Sequence, residues 1–224
     1  MKVKKIIELV DHTILKQEST WEQVKETLDD AIKYGAASVC LSPAYVKQAK
    51  EYVGADFKIC TVIGFPNGAH TTAVKCFETE DAIRNGAEEI DMVINIGWVK
   101  DKKYDDVLAE IKAIKKSCGD KILKVIIETC LLTEEEKVKM CEIVSESGAE
   151  FIKTSTGFST GGATKEDIAL FAANVKPHVA IKAAGGMNNL QDAKEFVKLG
   201  ATRLGSSRVI KSVKNENIGL DSEC

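Results

Sequence analysis

Apolar positions along the chain follow two alternating patterns. Segments with apolar residues three and four apart are separated by short runs that are apolar almost throughout. Trp21, Val24, Leu28 and Ile32 predict a helix over 20–34, with Ser19 and Glu22 spaced for a capping box and Gly35 placed for a left-handed C-cap. Further helical segments read at 43–53, 71–85, 102–117, 133–147, 164–175 and 189–199, and Thr133 with Glu136 offers a second capping box. The intervening runs lie at 37–42, 58–65, 89–94, 124–129, 151–156, 179–185 and 202–207, with a short first strand within 8–15. Strands without polar alternation suit a parallel sheet covered by helices. Eight β/α units in 224 residues, with only three prolines and no low-complexity linker, predict an α/β fold. The expected form is a single (β/α)8 TIM barrel over residues 1–224, whose polar tail after about residue 212 suits a flexible end. A doubly wound open sheet is the alternative.

A repeat favours the barrel. Gly-Ala recurs at 35–36, 86–87, 148–149 and 200–201, each time between a helix and the second, fourth, sixth or eighth strand. Five residues beyond each glycine stand Cys40, Asp91, Lys153 and Gly205, preceded by Val39, Ile90, Ile152 and Leu204. Strand side chains alternate faces, and one layer inside such a barrel comes from alternate strands. The aliphatics therefore face the helices, and Asp91 and Lys153 point inward as neighbours.

An inward lysine is costly to bury unless it is paired or used. Lys182 sits in a second apolar strand beside the first. Two inward lysines repel, which favours the neutral, nucleophilic form of an amine and opens a route to Schiff-base chemistry. Asp91 reads equally as a counter-charge or as a carboxylate that moves protons. Glu128 reads as a structural counter-charge, Cys40 as a small core thiol, and Asp11 with Thr13 as residues lining the mouth or capping a turn. Gly185-Gly186 and Gly205-Ser206-Ser207 follow the seventh and eighth strands, where barrels of this kind bind phosphate through backbone N–H groups.

Composition narrows the field. Thirty-one basic against 34 acidic residues leave no electrostatic case for nucleic acid, and no apolar run reaches membrane-spanning length. Seven scattered cysteines suit reduced thiols in a cytoplasmic setting. His12, His70 and His178 lack ligand spacing, so neither metal nor cofactor is assigned.

The runs VDHTIL at 10–15, EIDMVIN at 89–95, VIIET at 125–129, FIKTSTG at 151–157 and IKAAGG at 181–186 resemble, in order, the bacterial deoxyribose-phosphate aldolases. The resemblance implies a metal-free, class I aldolase that splits 2-deoxy-D-ribose 5-phosphate into glyceraldehyde 3-phosphate and acetaldehyde in deoxyribonucleoside catabolism. By motif it implies Lys153 as the Schiff-base lysine, Lys182 as its perturbing partner, and Asp91 as an acid/base working with Lys182 through a water. It places the phosphate on Gly185, Gly186, Gly205, Ser206 and Ser207, and Thr154 and Asp11 are added as candidate substrate contacts. Phe158 stands where some members carry a phosphate-binding lysine, and no tyrosine follows Tyr104 where some members have one in the tail. A homodimer is compatible with such a barrel, though no interface can be read in the sequence.

Overall fold

Eight strands, all parallel, pair in chain order and close, with β1 bonded to both β2 and β8. The computed structural model describes residues 1–224. The strands are β1 (Val10–Ile14), β2 (Ser38–Leu41), β3 (Ile59–Ile63), β4 (Glu89–Val93), β5 (Ile122–Ile126), β6 (Phe151–Lys153), β7 (Ala180–Ala184) and β8 (Arg203–Ser206). The helices are α1 (Val3–Ile7), α2 (Trp21–Tyr34), α3 (Val46–Val53), α4 (Thr72–Arg84), α5 (Ile96–Lys100), α6 (Tyr104–Cys118), α7 (Glu134–Ser147), α8 (Lys165–Asn174), α9 (Leu190–Lys198) and α10 (Val209–Asn215). The open-sheet alternative is excluded by the β1–β8 pairing. No helix is long and apolar enough to cross a membrane.

The Gly-Ala repeat has a physical basis. Gly35, Gly86, Gly148 and Gly200 all take positive φ, between 75° and 116°, where a Cβ is disfavoured. The following alanines are buried, and Ala36, Ala87 and Ala201 each donate their N–H to a carbonyl five residues back, closing the helix end. Each pair thus stops a helix and starts the next strand at one register. Val39, Ile90, Ile152 and Leu204 are fully buried in the core between strands and helices, as expected of outward positions.

Several local expectations shift. The first capping box uses Thr20 and Gln23 rather than Ser19 and Glu22, because Thr20 is the residue in extended geometry before α2. The Thr133–Glu136 box forms as read. β5 begins two residues earlier than predicted, which moves Lys124 from a strand end to its centre. β6 is only three residues long, because Thr154, Ser155 and Thr156 already belong to the loop. Helices α1, α5 and α10 were not predicted, being too short to show a helical period. The tail beyond α10 lies along α1, where Val3 N–H donates to the Ser222 carbonyl at 3.0 Å and Lys4 N–H to that of Leu220 at 2.9 Å.

Candidate active site

Alternation along six strands directs seven charged side chains into the barrel: Asp11 from β1, Glu89 and Asp91 from β4, Lys124 from β5, Lys153 from β6, Lys182 from β7 and Arg203 from β8. Register sets Asp91 beside Lys124, Lys153 beside Lys182, and Lys182 beside Arg203. Asp91 is the hub. Its Oδ2 accepts from Lys153 Nζ and Lys182 Nζ, both at 2.7 Å, and its Oδ1 accepts from Lys124 Nζ at 2.9 Å and the Cys60 thiol at 3.3 Å. Lys124 also reaches Glu89 at 2.6 Å, Lys182 pairs with Asp11, and Arg203 donates to Asp11 at 2.7 Å and Glu89 at 2.9 Å.

Four cations meet three carboxylates in this set, so loss of one proton leaves it electrically balanced. Burial raises the Asp91 carboxyl, but Lys124, Lys153 and Lys182 together outweigh it and hold it well below the usual carboxylate range. Asp11 follows the same logic, with Lys182, Lys124 and Arg203 overcoming burial. Burial lowers Lys182, yet Asp11 and Asp91 prevail and raise it above an ordinary lysine. That corrects the simple paired-lysine expectation for this residue: two carboxylates lie closer to its ammonium than any lysine charge can offset.

Above the cluster opens a cavity of about 860 Å³, lined by Lys153, Gly185, Gly186, Gly205, Ser206 and Ser207 among others. Lys153 alone of the three inward lysines lines it; Lys124 and Lys182 are fully buried. Thr154 does not reach the cavity. Its hydroxyl is held between the Ala184 N–H at 3.1 Å and the Ala184 carbonyl at 3.2 Å, tying β6 to β7. Asp11 lies beneath the mouth, not on it, fully buried against Lys182, Arg203 and the Ser38 hydroxyl. Gly205 is inward, and a Cβ there would come within 3.2 Å of Lys182 Cε, so its bareness makes room for that side chain. Glu128 pairs with no cation; it accepts from the Thr156 N–H at 3.1 Å and hydroxyl at 2.5 Å, clamping the loop after β6. Cys40 is buried beside Cys60 and Asp91. Cys40, Cys60 and Asp91, and likewise Asp11, Cys60 and Glu89, gather donor atoms within 4.8 Å, but their carboxylates are already claimed by lysine and arginine.

Lys124, Glu89 and Arg203 were missed in the sequence. Glu89 and Arg203 each stand two residues before an inward position, Asp91 and Gly205, so the period-two rule marks them. Lys124 was hidden by the strand boundary.

The site is thus a closed parallel barrel with a lysine amine at the floor of its cavity. The chain belongs to the DeoC/LacD family of aldolases, whose model matches residues 5–207. It is 58% identical over 215 residues to a deoxyribose-phosphate aldolase of Clostridioides difficile (strain 630), covering 96% of this chain and 98% of that one. It is also 58% identical over 222 residues to one from Streptococcus pyogenes serotype M12 (strain MGAS2096), covering 99% and 100%. Among solved structures, the aldolase QR15 superposes with a TM-score of 0.90 at 36% identity, covering 95% of this chain and 97% of that one. The tetrameric deoxyribose phosphate aldolase of Aeropyrum pernix gives 0.88 at 28% identity, covering 96% and 92%.

Proposed function

We propose that the protein reversibly cleaves 2-deoxy-D-ribose 5-phosphate to D-glyceraldehyde 3-phosphate and acetaldehyde through a Schiff base on Lys153. The observation that carries this is the position of Lys153: a buried amine open to the cavity on one side and bonded to Asp91 on the other. Its relatives, deoxyribose-phosphate aldolases, supply the substrate.

The steps follow from the charges. The Asp91 carboxylate relays the Lys153 ammonium proton to the substrate's carbonyl oxygen as the freed amine adds to the open-chain aldehyde carbon. A second proton moves from the nitrogen to that hydroxyl, and loss of water gives the iminium. With the iminium as electron sink, the C2–C3 bond breaks as the C3 hydroxyl passes its proton to the Asp91 carboxylate, and glyceraldehyde 3-phosphate departs. The remaining enamine takes a proton at C2, and water releases acetaldehyde from Lys153. Lys182, protonated and bonded to the same Asp91 oxygen at 2.7 Å, returns protons along a direct Lys153–Asp91–Lys182 path. Phosphate held on the β7 and β8 loops fixes the reacting carbon over Lys153. Seven unpaired thiols suit the cytoplasmic setting in which deoxyribonucleosides are broken down.

Borohydride reduction in the presence of acetaldehyde tests the reading. An ethyl group is expected on the peptide bearing Lys153. A folded protein left unmodified there sinks the Schiff base, and modification without cleavage of deoxyribose 5-phosphate points to another aldol substrate.

A further inference from the structure

The backbone loops at the cavity carry no formal charge, whereas a phosphate ester is a dianion. The residue after the TSTG run is Phe158, whose ring packs edge-on against Phe65 with centroids 5.3 Å apart. It supplies apolar surface at the mouth and no counter-charge. Four cations line the cavity: Lys16, Lys153, Arg208 and Lys211. Lys153 is bonded to Asp91 and Lys16 lies 3.9 Å from Glu18, while Arg208 and Lys211 pair with no carboxylate.

Arg208 is the better placed of the two. It follows Ser206 and Ser207 directly, and its N–H donates to the Ser206 hydroxyl at 3.1 Å. Its guanidinium donates through Nη1 to the Asn188 side-chain oxygen, two residues after Gly186. Asn188 is itself anchored, its N–H donating to Asp192 at 2.8 Å. The arginine thus spans the loops after β7 and β8 and spends one of its five N–H donors on doing so. Close by, the N–H groups of Gly186 and Ser207 make no hydrogen bond within the protein. Positive charge in a fixed fork, beside free backbone donors, is the arrangement that recognises a phosphate.

Resting on the aldolase reading above, we propose that Arg208, positioned by Asn188, is the cationic ligand of the substrate's phosphate and the source of preference for phosphorylated sugars. Asn188 acts only through Arg208 and is a positioning residue.

Arg208→Gln is the test, with inorganic phosphate binding measured by calorimetry at fixed salt and turnover measured on deoxyribose 5-phosphate and on 2-deoxyribose. Phosphate affinity should fall about ten- to a hundredfold, the range of a charge-assisted hydrogen bond. The kcat/KM for deoxyribose 5-phosphate should fall by a similar factor relative to that for 2-deoxyribose, chiefly through KM. Arg208→Lys should recover part of both, because it keeps the charge and loses the fork. Acetaldehyde trapping at Lys153, which involves no phosphate, reports whether the variant's barrel is intact. Unchanged phosphate affinity in Arg208→Gln, an equal loss on both sugars, or no phosphate binding by the parent protein each overturns the assignment. If the parent binds phosphate through Arg208 but does not cleave deoxyribose 5-phosphate, the substrate reading fails and the role of Arg208 stands.

Discussion

Replacing Gly205 with alanine separates two roles that one position could serve. Gly205 lies in β8 in strand geometry, so alanine brings no backbone strain. The new Cβ would sit 3.1 Å from Ala184 Cβ and 3.2 Å from Lys182 Cε. Carbon atoms prefer about 3.5–4.0 Å, so Lys182 must give way by roughly 0.3–0.8 Å. Overpacking of this kind costs about 1–3 kcal/mol, or about 2–4 °C in Tm per kcal/mol for a chain of this size. The chemical consequence is larger. Lys182 Nζ would be drawn from Asp91 Oδ2, now 2.7 Å away, and an error of about 1 Å in such a group can cost about a hundredfold. A shift of a few tenths therefore predicts a fall in kcat of about four- to tenfold, with KM for deoxyribose 5-phosphate nearly unchanged. Steady-state cleavage, with glyceraldehyde 3-phosphate consumed by a coupled dehydrogenase, reads both constants. A raised KM at unchanged kcat would refute the reasoning and return Gly205 to the phosphate loop.

Lys124→Met removes the cation shared by Asp91 and Glu89, and stripping one partner from a buried pair costs about 3–5 kcal/mol; urea unfolding that stays within about 1 kcal/mol of the parent would show that Lys124 does not bind the floor together. His12 is fully buried, with burial pushing its imidazole down to about 4 against an unfolded value near 6.5. The unfolded chain therefore binds the proton first, and stability should fall by about 3 kcal/mol as pH drops from about 6.5 to 4, with no contribution above that window. A His12→Gln chain that keeps the same slope in denaturation curves contradicts this. Asp11 and Asp91, held low by their cations, lose their contribution only below about pH 4, so the two effects occupy separate windows.

The barrel and its central amine were legible because the Gly-Ala repeat fixes both conformation and parity. A left-handed glycine must end the helix, and a count of five from it lands on the inner face. Lys153 and Asp91 were placed by that count, and Lys182 by its setting between apolar neighbours. The count did not extend to odd strands, so nothing drew attention to Lys124 at the edge of its apolar run. Thr154 and Asp11 were named from motifs, which do not show whether a polar atom is already engaged. Thr154 is spent on Ala184 and Asp11 on Lys182 and Arg203. The raised protonation of Lys182 was equally invisible, because it depends on two carboxylates arriving from β1 and β4.

The close approach of the loops after β6 and β7 bears on how this enzyme could be altered. A Cβ on Gly162 would lie 2.5 Å from the Gly186 nitrogen, and one on Gly186 would lie 2.7 Å from the Ala163 carbonyl oxygen. That wall of the mouth is backbone against backbone, and it cannot be reshaped one side chain at a time. Elsewhere along the mouth, a side pocket of about 220 Å³ is lined by side chains that include Leu15, Val62, Phe65 and Phe158, and Leu15 and Phe158 also line the main cavity. Libraries seeking new aldehyde partners should vary those four positions and leave the glycine wall fixed.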